Sequence, residues 1–217
     1  MQLMTEPLGA SHWWSWHDDY ADPDSALSRR LATVVQRTGD AIDSCPPGPI
    51  TLISACAGQG RDVIAALAGR ERREDVRGLL VELDPANAAS AEAGVRTAGL
   101  TGISVREADA GRTDSYLGYA PADVLLLCGI FGNIPDADIR RTIENASSLS
   151  AAGATIIWTR HRRPPDLTYA IREWWTECGF EEVAFDSPGD ESFAVGVQRF
   201  VGTPTTLRPG GRLFTFA

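Results

Sequence analysis

Lysine is absent from this chain, and all 20 of its cationic residues are arginine, against 29 acidic residues and a formal net charge of −9. A net negative charge repels phosphate backbones. The one dense cationic stretch, Arg160, Arg162 and Arg163, is too short to form a nucleic-acid-binding face by itself. We therefore expect no nucleic-acid partner.

Cysteine and long apolar runs are also scarce. The four cysteines are scattered without a Cys-x-x-Cys pair and no secretory leader is visible, which predicts a reducing, cytoplasmic compartment and no metal site. The longest apolar run, residues 124–134, is interrupted by glycines and is far short of the roughly 20 residues that a membrane span needs. We expect no membrane partner, and we interpret this run as a buried strand.

The composition is that of a globular protein, with 217 residues of which 43% are hydrophobic and 23% charged. This length fits one ordinary domain. Residues 1–45 are expected to form an aromatic arm and a helix that cover one edge of a main domain, residues 46–217. A monomer or a homodimer is expected.

Short apolar runs alternate with helical segments from residue 50 onward, a pattern typical of parallel strands joined by crossover helices. The predicted strands are 50–54, 78–82, 103–107, 124–128 and 155–159, and the predicted helices are 62–69, 85–98, 136–148 and 167–178. Segments 181–186 and 193–200 alternate like a hairpin. We predict an α/β fold with a doubly wound, Rossmann-like, seven-stranded sheet, mostly parallel with a C-terminal antiparallel hairpin, and helices on both faces.

A glycine-bearing turn, with Gly58 and Gly60, lies between the first predicted strand and the following helix. Glycines there let the backbone bend sharply and approach a ligand at the carboxyl ends of the strands. Glu82 ends the next strand, 22 positions after Gly60, where dinucleotide-binding folds place an acid on the ribose hydroxyls. A plain turn and a solvated strand end are the alternatives, and Asp84 is expected to cap the next helix.

The residues after the turn bear on which nucleoside is bound. A pyrophosphate lies on the free N–H groups of a helix start and requires a third small residue for close packing. This chain has Asp62 at the helix start and Val63 at the third position. The carboxylate would repel a pyrophosphate but suits an ammonium and a sulfonium, which favours S-adenosylmethionine over NAD.

Four segments in order resemble motifs I to IV of class I S-adenosylmethionine-dependent methyltransferases. They are residues 52–60, 81–85, 106–110 and 122–129, and the terminal hairpin extends the resemblance to about residue 200. The stretches 56–62 and 128–134 also resemble uncharacterised bacterial methyltransferases. The resemblance implies S-adenosylmethionine as cofactor and S-adenosylhomocysteine as product.

The resemblance also implies roles for individual residues. Glu82 would hold the ribose and Leu83 would lie against the adenine, whose amino group Asp109 would bind unless that acid only caps its own turn. The residues implied to bind the cofactor are Cys56, Ala57, Gly58, Gln59, Gly60, Asp62, Glu82, Leu83, Asp109, Ala110, Cys128 and Gly129.

Two positions depart from the family pattern, because Ser54 stands where an acid is usual and Cys56 where a glycine is usual. Fewer carboxylates than usual are therefore available to bind the methionine ammonium. Asp62 or the N-terminal arm is expected to substitute.

The acceptor is expected above the carboxyl ends of the fourth and fifth strands. His161 and Asn133 are candidate catalytic residues, since a histidine can take a proton and an asparagine can hydrogen-bond the acceptor. A surface position for His161 and a turn role for Asn133 are the alternatives. The residues expected to bind substrate are Trp13, Trp16, His17, Tyr20, Phe131 and Arg160.

These substrate contacts carry alternatives too. Arg160 could pair with an anionic group of the substrate or with an acid of the chain itself. The aromatic arm could form a lid over a flat acceptor, or could only fasten the N-terminus to the core or to a second subunit.

The sequence thus predicts methyl transfer to oxygen or nitrogen of a small molecule, mainly by proximity and orientation. A nicotinamide-dependent oxidoreductase and a non-catalytic nucleotide-binding module of the same fold are the alternatives.

Overall fold

The computed structural model describes Asp22, residues 25–189 and residues 192–216. The predicted arm therefore lies outside the described residues, including Trp13, Trp16, His17 and Tyr20. The elements, in chain order, are α1 (Ala26–Ser44), β1 (Ile50–Ala55), α2 (Arg61–Leu67), β2 (Val76–Glu82), α3 (Pro85–Thr97), β3 (Ile103–Glu107), β4 (Ala122–Leu127), α4 (Asp136–Asn145), β5 (Ser150–His161), α5 (Thr168–Glu177), β6 (Phe180–Asp186) and β7 (Phe193–Phe200).

The sheet has seven strands in the order β3-β2-β1-β4-β5-β7-β6. Strands β1 to β5 are parallel, and β7 runs antiparallel to both β5 and β6. The predicted sheet and its C-terminal hairpin are confirmed. Because the chain order reverses between β1 and β4, a crevice opens at the carboxyl ends of these two strands, which is where open α/β sheets bind ligands.

Helices cover both faces of the sheet, as predicted, because successive strand residues point to opposite sides. In β1, Leu52 packs in a cluster that includes Ile42 of α1 and Val63 of α2. Ile53, the next residue, packs on the other face in a cluster that includes Ile139 of α4 and Trp175 of α5. Strands buried on both sides explain the continuous apolar runs in the sequence.

Capping residues account for two helix starts. The Ser25 side chain accepts a hydrogen bond from the backbone N–H of Ser28 at the start of α1, and Asp84 accepts from that of Asn87 in α3. These contacts satisfy N–H groups that have no partner within the helix. The expected cap at Asp84 is confirmed.

Strand β5 is longer than predicted, since it runs from Ser150 to His161 rather than over residues 155–159. The additional residues are held by neighbouring strands: Ser150 pairs with Ala122 of β4, and His161 pairs with Phe193 of β7. Such pairing between distant segments is not visible in local propensity. It places Arg160 and His161 at the end of the strand instead of in a loop.

Candidate functional site

A pocket of about 550 Å³ opens at the carboxyl ends of β1, β2, β3 and β4. Eleven of the twelve residues expected to bind the cofactor line it, together with Asn133. Its volume falls in the range of pockets that enclose small molecules and cofactors. The structure therefore brings together residues from four separate segments of the sequence.

The turn after β1 forms one wall of the pocket. Gly58 and Gly60 have φ values of 55° and 68°, in the left-handed region that favours glycine. A Cβ atom on Gly60 would lie 2.8 Å from the Leu80 side chain. Gly60 thus lets helix α2 pack closely on the sheet, and it is the one predicted cofactor residue that does not line the pocket.

Cys56 begins this turn with φ at 53°, a conformation that is uncommon for a residue with a side chain. Cys56 and Cys128 both line the pocket. Burial is the main cause that raises the pKa of the Cys56 and Cys128 thiols well above the ordinary value. The negative charge of Glu82 adds to the shift at Cys56, and that of Asp62 adds to the shift at Cys128. Both side chains are therefore neutral thiols at pH 7 and act as small apolar groups.

The Glu82 carboxylate is held in place by two backbone N–H groups. Gly58 donates to Oε2 at 2.7 Å and Asp84 donates to Oε1 at 2.9 Å. Each carboxylate oxygen can accept a further hydrogen bond. Glu82 is thus a fixed acceptor at the edge of the pocket, and the alternative of a freely solvated strand end is wrong.

Asp109 follows β3 and uses both oxygens within the protein. Its Oδ1 accepts from the backbone N–H of Gly111 at 2.8 Å, as the turn-capping alternative expected. Its Oδ2 lies 3.2 Å from Nη1 of Arg212, a residue near the C-terminus. Asp109 still lines the pocket beside Ala110, so it combines a structural role with a position at the site.

Asp62 lies in the first turn of helix α2, and its carboxylate is partly buried in the pocket wall. Burial raises the pKa of Asp62 from 3.8 to about 6, although the Val63 backbone N–H and the positive charge of Arg30 act in the opposite direction. Val63 donates to Oδ1 at 2.8 Å. Asp62 is therefore an anion at pH 7 whose charge carries a cost that a bound cation would relieve.

Helix α1 and the C-terminus supply pocket residues that the sequence analysis missed, namely Arg30, Leu31 and Phe216. They are far from the glycine turn in the sequence, and no local motif marks them. The first turn of α3 adds Pro85 and Asn87, and the first residue of α2 adds Arg61. Pro85, Asn87 and Arg61 lie next to the motifs in the sequence, so their position at the pocket could have been predicted.

Asn133 lies in the loop after β4 and is exposed at the pocket. Its Nδ2 donates to the Gly129 carbonyl at 2.8 Å, which fixes the loop. The turn role is thus present, and Asn133 also lines the pocket.

His161 and Arg160 are close to this loop but do not line the pocket. The His161 ring packs near Gly132: a Cβ atom added to Gly132 would lie 3.1 Å from the ring's Cδ2. Burial and the charges of Arg160 and Arg163 lower the pKa of His161, so the imidazole is neutral at pH 7. Its Nδ1 is buried with no hydrogen-bond partner among the residues described.

Two predicted substrate contacts need correction. Phe131 is fully buried and its ring packs in the core against Trp158 and Trp175, because the loop after β4 folds inward over α5. Arg160 is 7% exposed and its Nη1 donates to the carbonyl of Phe131. Burial lowers the pKa of Arg160, and the nearby acids Asp136 and Asp166 oppose this. Arg160 therefore stabilises the loop after β4, and its guanidinium is buried instead of exposed at the surface.

No cluster of three or more potential metal-binding side chains occurs among the residues that the structure describes. Within the same ranges, no helix is long and apolar enough to cross a bilayer.

No protein-family model matches the chain, and no curated protein matches it. Solved structures with similar folds are numerous. An O-methyltransferase family protein from Burkholderia thailandensis is 16% identical with a TM-score of 0.60, over 88% of this chain and 70% of that one. Magnesium protoporphyrin IX methyltransferase from Synechocystis PCC 6803 with bound SAM is 13% identical with a TM-score of 0.69, over 88% and 92%.

The cyclase SpnF is also similar, at 14% identity and a TM-score of 0.57, over 76% of this chain and 81% of that one. Proteins of different activity thus share this architecture, which is expected because function depends on the site more than on the fold. The strand order, the terminal hairpin and these likenesses together show that the chain has the fold of class I S-adenosylmethionine-dependent methyltransferases.

Proposed function

We propose that this chain binds S-adenosylmethionine in the pocket and transfers the methyl group to an oxygen or nitrogen of a small-molecule acceptor, with S-adenosylhomocysteine as product. The observation that carries the proposal is the Glu82 carboxylate, fixed by the N–H groups of Gly58 and Asp84 at the edge of the pocket. A ribose presents two neighbouring hydroxyls, and a fixed carboxylate with spare acceptor sites is suited to both.

The nucleoside half of the cofactor fits beside Glu82. Leu83 is 61% exposed at the pocket and offers an apolar surface to the adenine. Asp109 is present as an acceptor for the adenine amino group, next to the backbone of Ala110. These groups follow β2 and β3, so the sheet itself sets their spacing.

We assign the amino-acid half to the part of the pocket formed by α1 and the first turn of α2, which carries charges of both signs. Asp62 offers an anion to the ammonium and the sulfonium, and Arg30 offers a cation to the carboxylate. This pairing compensates for Ser54 and Cys56, which stand where the family pattern has an acid and a glycine. A pyrophosphate would meet Asp62 with like charge, which is why we favour S-adenosylmethionine over a nicotinamide cofactor.

When bound, S-adenosylmethionine supplies a methyl group already activated on a sulfonium, so the protein's contribution is to orient the acceptor and exclude water. Asn133, which lines the pocket from the loop after β4, would hydrogen-bond the acceptor. The neutral imidazole of His161, near the same loop, is in the protonation state that can take the proton lost by an oxygen or nitrogen acceptor. The buried Arg160 holds this loop through the Phe131 carbonyl.

Isothermal titration calorimetry with S-adenosylhomocysteine and with NAD tests the proposal. The wild type should bind S-adenosylhomocysteine with micromolar affinity and should not bind NAD. Glu82→Gln should weaken binding about 10- to 100-fold, because it replaces charge-assisted hydrogen bonds worth about 1.5–3 kcal/mol.

Glu107→Gln is the matched control, since Glu107 is exposed and pairs with Glu82 in register on β3. Its affinity should equal that of the wild type. Unchanged affinity in Glu82→Gln, or preferential binding of NAD, would refute the proposed site. Binding without methylation across a broad panel of oxygen and nitrogen acceptors would favour the non-catalytic module instead.

A further inference from the structure

The segment after the last strand returns to the pocket. This C-terminal tail, residues 201–216, contains no helix or strand longer than a single bridge, yet Leu213 and Phe214 are buried in the core cluster that includes Ile53 of β1. Phe216 lines the pocket. The tail is therefore a fixed part of the fold, and it ends at the candidate site.

The tail is fastened to the loop that follows β3. Leu213 donates its N–H to the Gly111 carbonyl at 2.7 Å, and Thr113 donates to the Gly211 carbonyl at 3.1 Å. The ion pair between Arg212 and Asp109 adds a third link. The same loop lines the pocket through Asp109 and Ala110, so the tail docks on the side of the pocket assigned to the nucleoside.

Contacts on the other side of the tail fix its direction. Thr215 donates its N–H to Oδ2 of Asp138 in α4 at 2.8 Å. A Cβ added to Gly111 would lie 2.2 Å from the Phe214 carbonyl oxygen, so the two backbones approach as closely as a glycine allows. Held by α4 and by the loop, the tail presents its last described residue at the pocket.

Phe216 is 38% exposed although its ring packs edge-on against Phe214 at 5.6 Å. Leu83, on another segment of the pocket wall, is 61% exposed. Large apolar side chains that stay exposed in a pocket are typical of a surface that a ligand covers. An aromatic ring at such a position is well suited to contact a flat, apolar base.

We infer that Phe216 forms a wall of the nucleoside half of the pocket and packs against the purine base of the cofactor, making the C-terminal tail part of the binding site. This inference rests on the proposed function. Phe216 lies outside every cofactor motif in the sequence. Its contribution to binding affinity should be the same for any ligand that carries the nucleoside, with or without the amino-acid group.

Calorimetry with S-adenosylhomocysteine and with 5′-methylthioadenosine, which lacks the amino-acid group, tests the inference. Phe216→Ala should weaken the binding of both compounds by the same factor, about 3- to 10-fold, which is the usual range for one aromatic contact. Arg30→Gln should weaken the binding of S-adenosylhomocysteine and leave that of 5′-methylthioadenosine unchanged. Val201→Ala, at an exposed tail position that does not line the pocket, is the matched control and should match the wild type.

The outcomes separate the inference from the proposed function. Wild-type affinity in Phe216→Ala, or a loss confined to S-adenosylhomocysteine, overturns the inference alone. If the wild type binds neither compound, the proposed function fails and the inference fails with it. A variant lacking residues 216 and 217, checked by its thermal midpoint, should reproduce the loss seen in Phe216→Ala; affinity equal to the wild type in a folded deletion variant also overturns the inference.

Discussion

Replacing Asp62 by asparagine should stabilise the ligand-free protein while weakening its cofactor binding. Burial raises the pKa of Asp62 from 3.8 to about 6, so the folded protein holds the proton more tightly than the unfolded chain does. At 1.36 kcal/mol per pH unit, the cost of ionising this group in the folded state is about 3 kcal/mol. Asparagine keeps the hydrogen-bond acceptor for Val63 but carries no charge.

The pH dependence follows from the direction of this shift. Below about pH 4 the carboxyl is protonated in both states, so Asp62→Asn and the wild type should have nearly equal stability. Between pH 4 and 6 the folded wild type still holds the Asp62 proton, whereas the unfolded chain has already lost it. The stability of the wild type relative to Asp62→Asn therefore falls as the pH rises through this range. Above pH 6 the variant should be more stable by about 1–3 kcal/mol.

Urea denaturation from pH 4 to pH 8 measures this difference, and calorimetry at pH 8 measures binding. Glu92→Gln, at an exposed acid of α3, should show almost no pH-dependent difference from the wild type. S-adenosylhomocysteine should bind Asp62→Asn at least about 10-fold more weakly, as a charge-assisted hydrogen bond is lost. A stability difference that is flat with pH, or an unchanged affinity, would refute the assignment of a buried charge that recognises the ammonium.

Three further substitutions test other parts of the structure. Gly111→Ala should lower the free energy of unfolding by about 1–3 kcal/mol in urea denaturation, because its Cβ would collide with the Phe214 carbonyl; wild-type stability would contradict the close approach. Arg37→Met should cost about 1 kcal/mol, less at high salt, because the two hydrogen bonds to Asp186 that join α1 to β6 are lost. With the cofactor saturating at every pH, the rate of methyl transfer should fall on the acid side only below the ordinary pKa of histidine, and this limb should vanish in His161→Gln; a limb that persists there would exclude His161 as the base.

Much of the fold could be predicted because local patterns were consistent with the tertiary structure. The parallel strands are apolar on both faces and are followed by helices at regular spacing, so their order and approximate bounds were clear. The residues expected to bind the cofactor could also be located in the sequence, since Glu82 and the turn with Gly58 occur at fixed distances from strand ends. Parallel strands place their carboxyl ends on one edge of the sheet, which brings such residues together.

The substrate side was predicted less well because it depends on side-chain direction. Phe131 and Arg160 occur after β4 and at the end of β5, as expected for acceptor contacts, yet one ring is buried in the core and one guanidinium binds a backbone carbonyl. Sequence position gives the end of a strand but not whether the next side chain faces solvent or core. That choice depends on packing against α5.

The sequence by itself determined the sheet, its hairpin and the cofactor motifs, because strand periodicity, glycine turns and helix caps act over a few neighbouring residues. Only the tertiary structure decided which distant segments complete the pocket. Arg30 comes from the first helix and Phe216 from the C-terminal tail, and both reach the site through long-range packing that no local pattern encodes. The physical reason is that a side chain's contacts depend on all the elements packed around it, whereas its backbone conformation depends mostly on its neighbours in the chain.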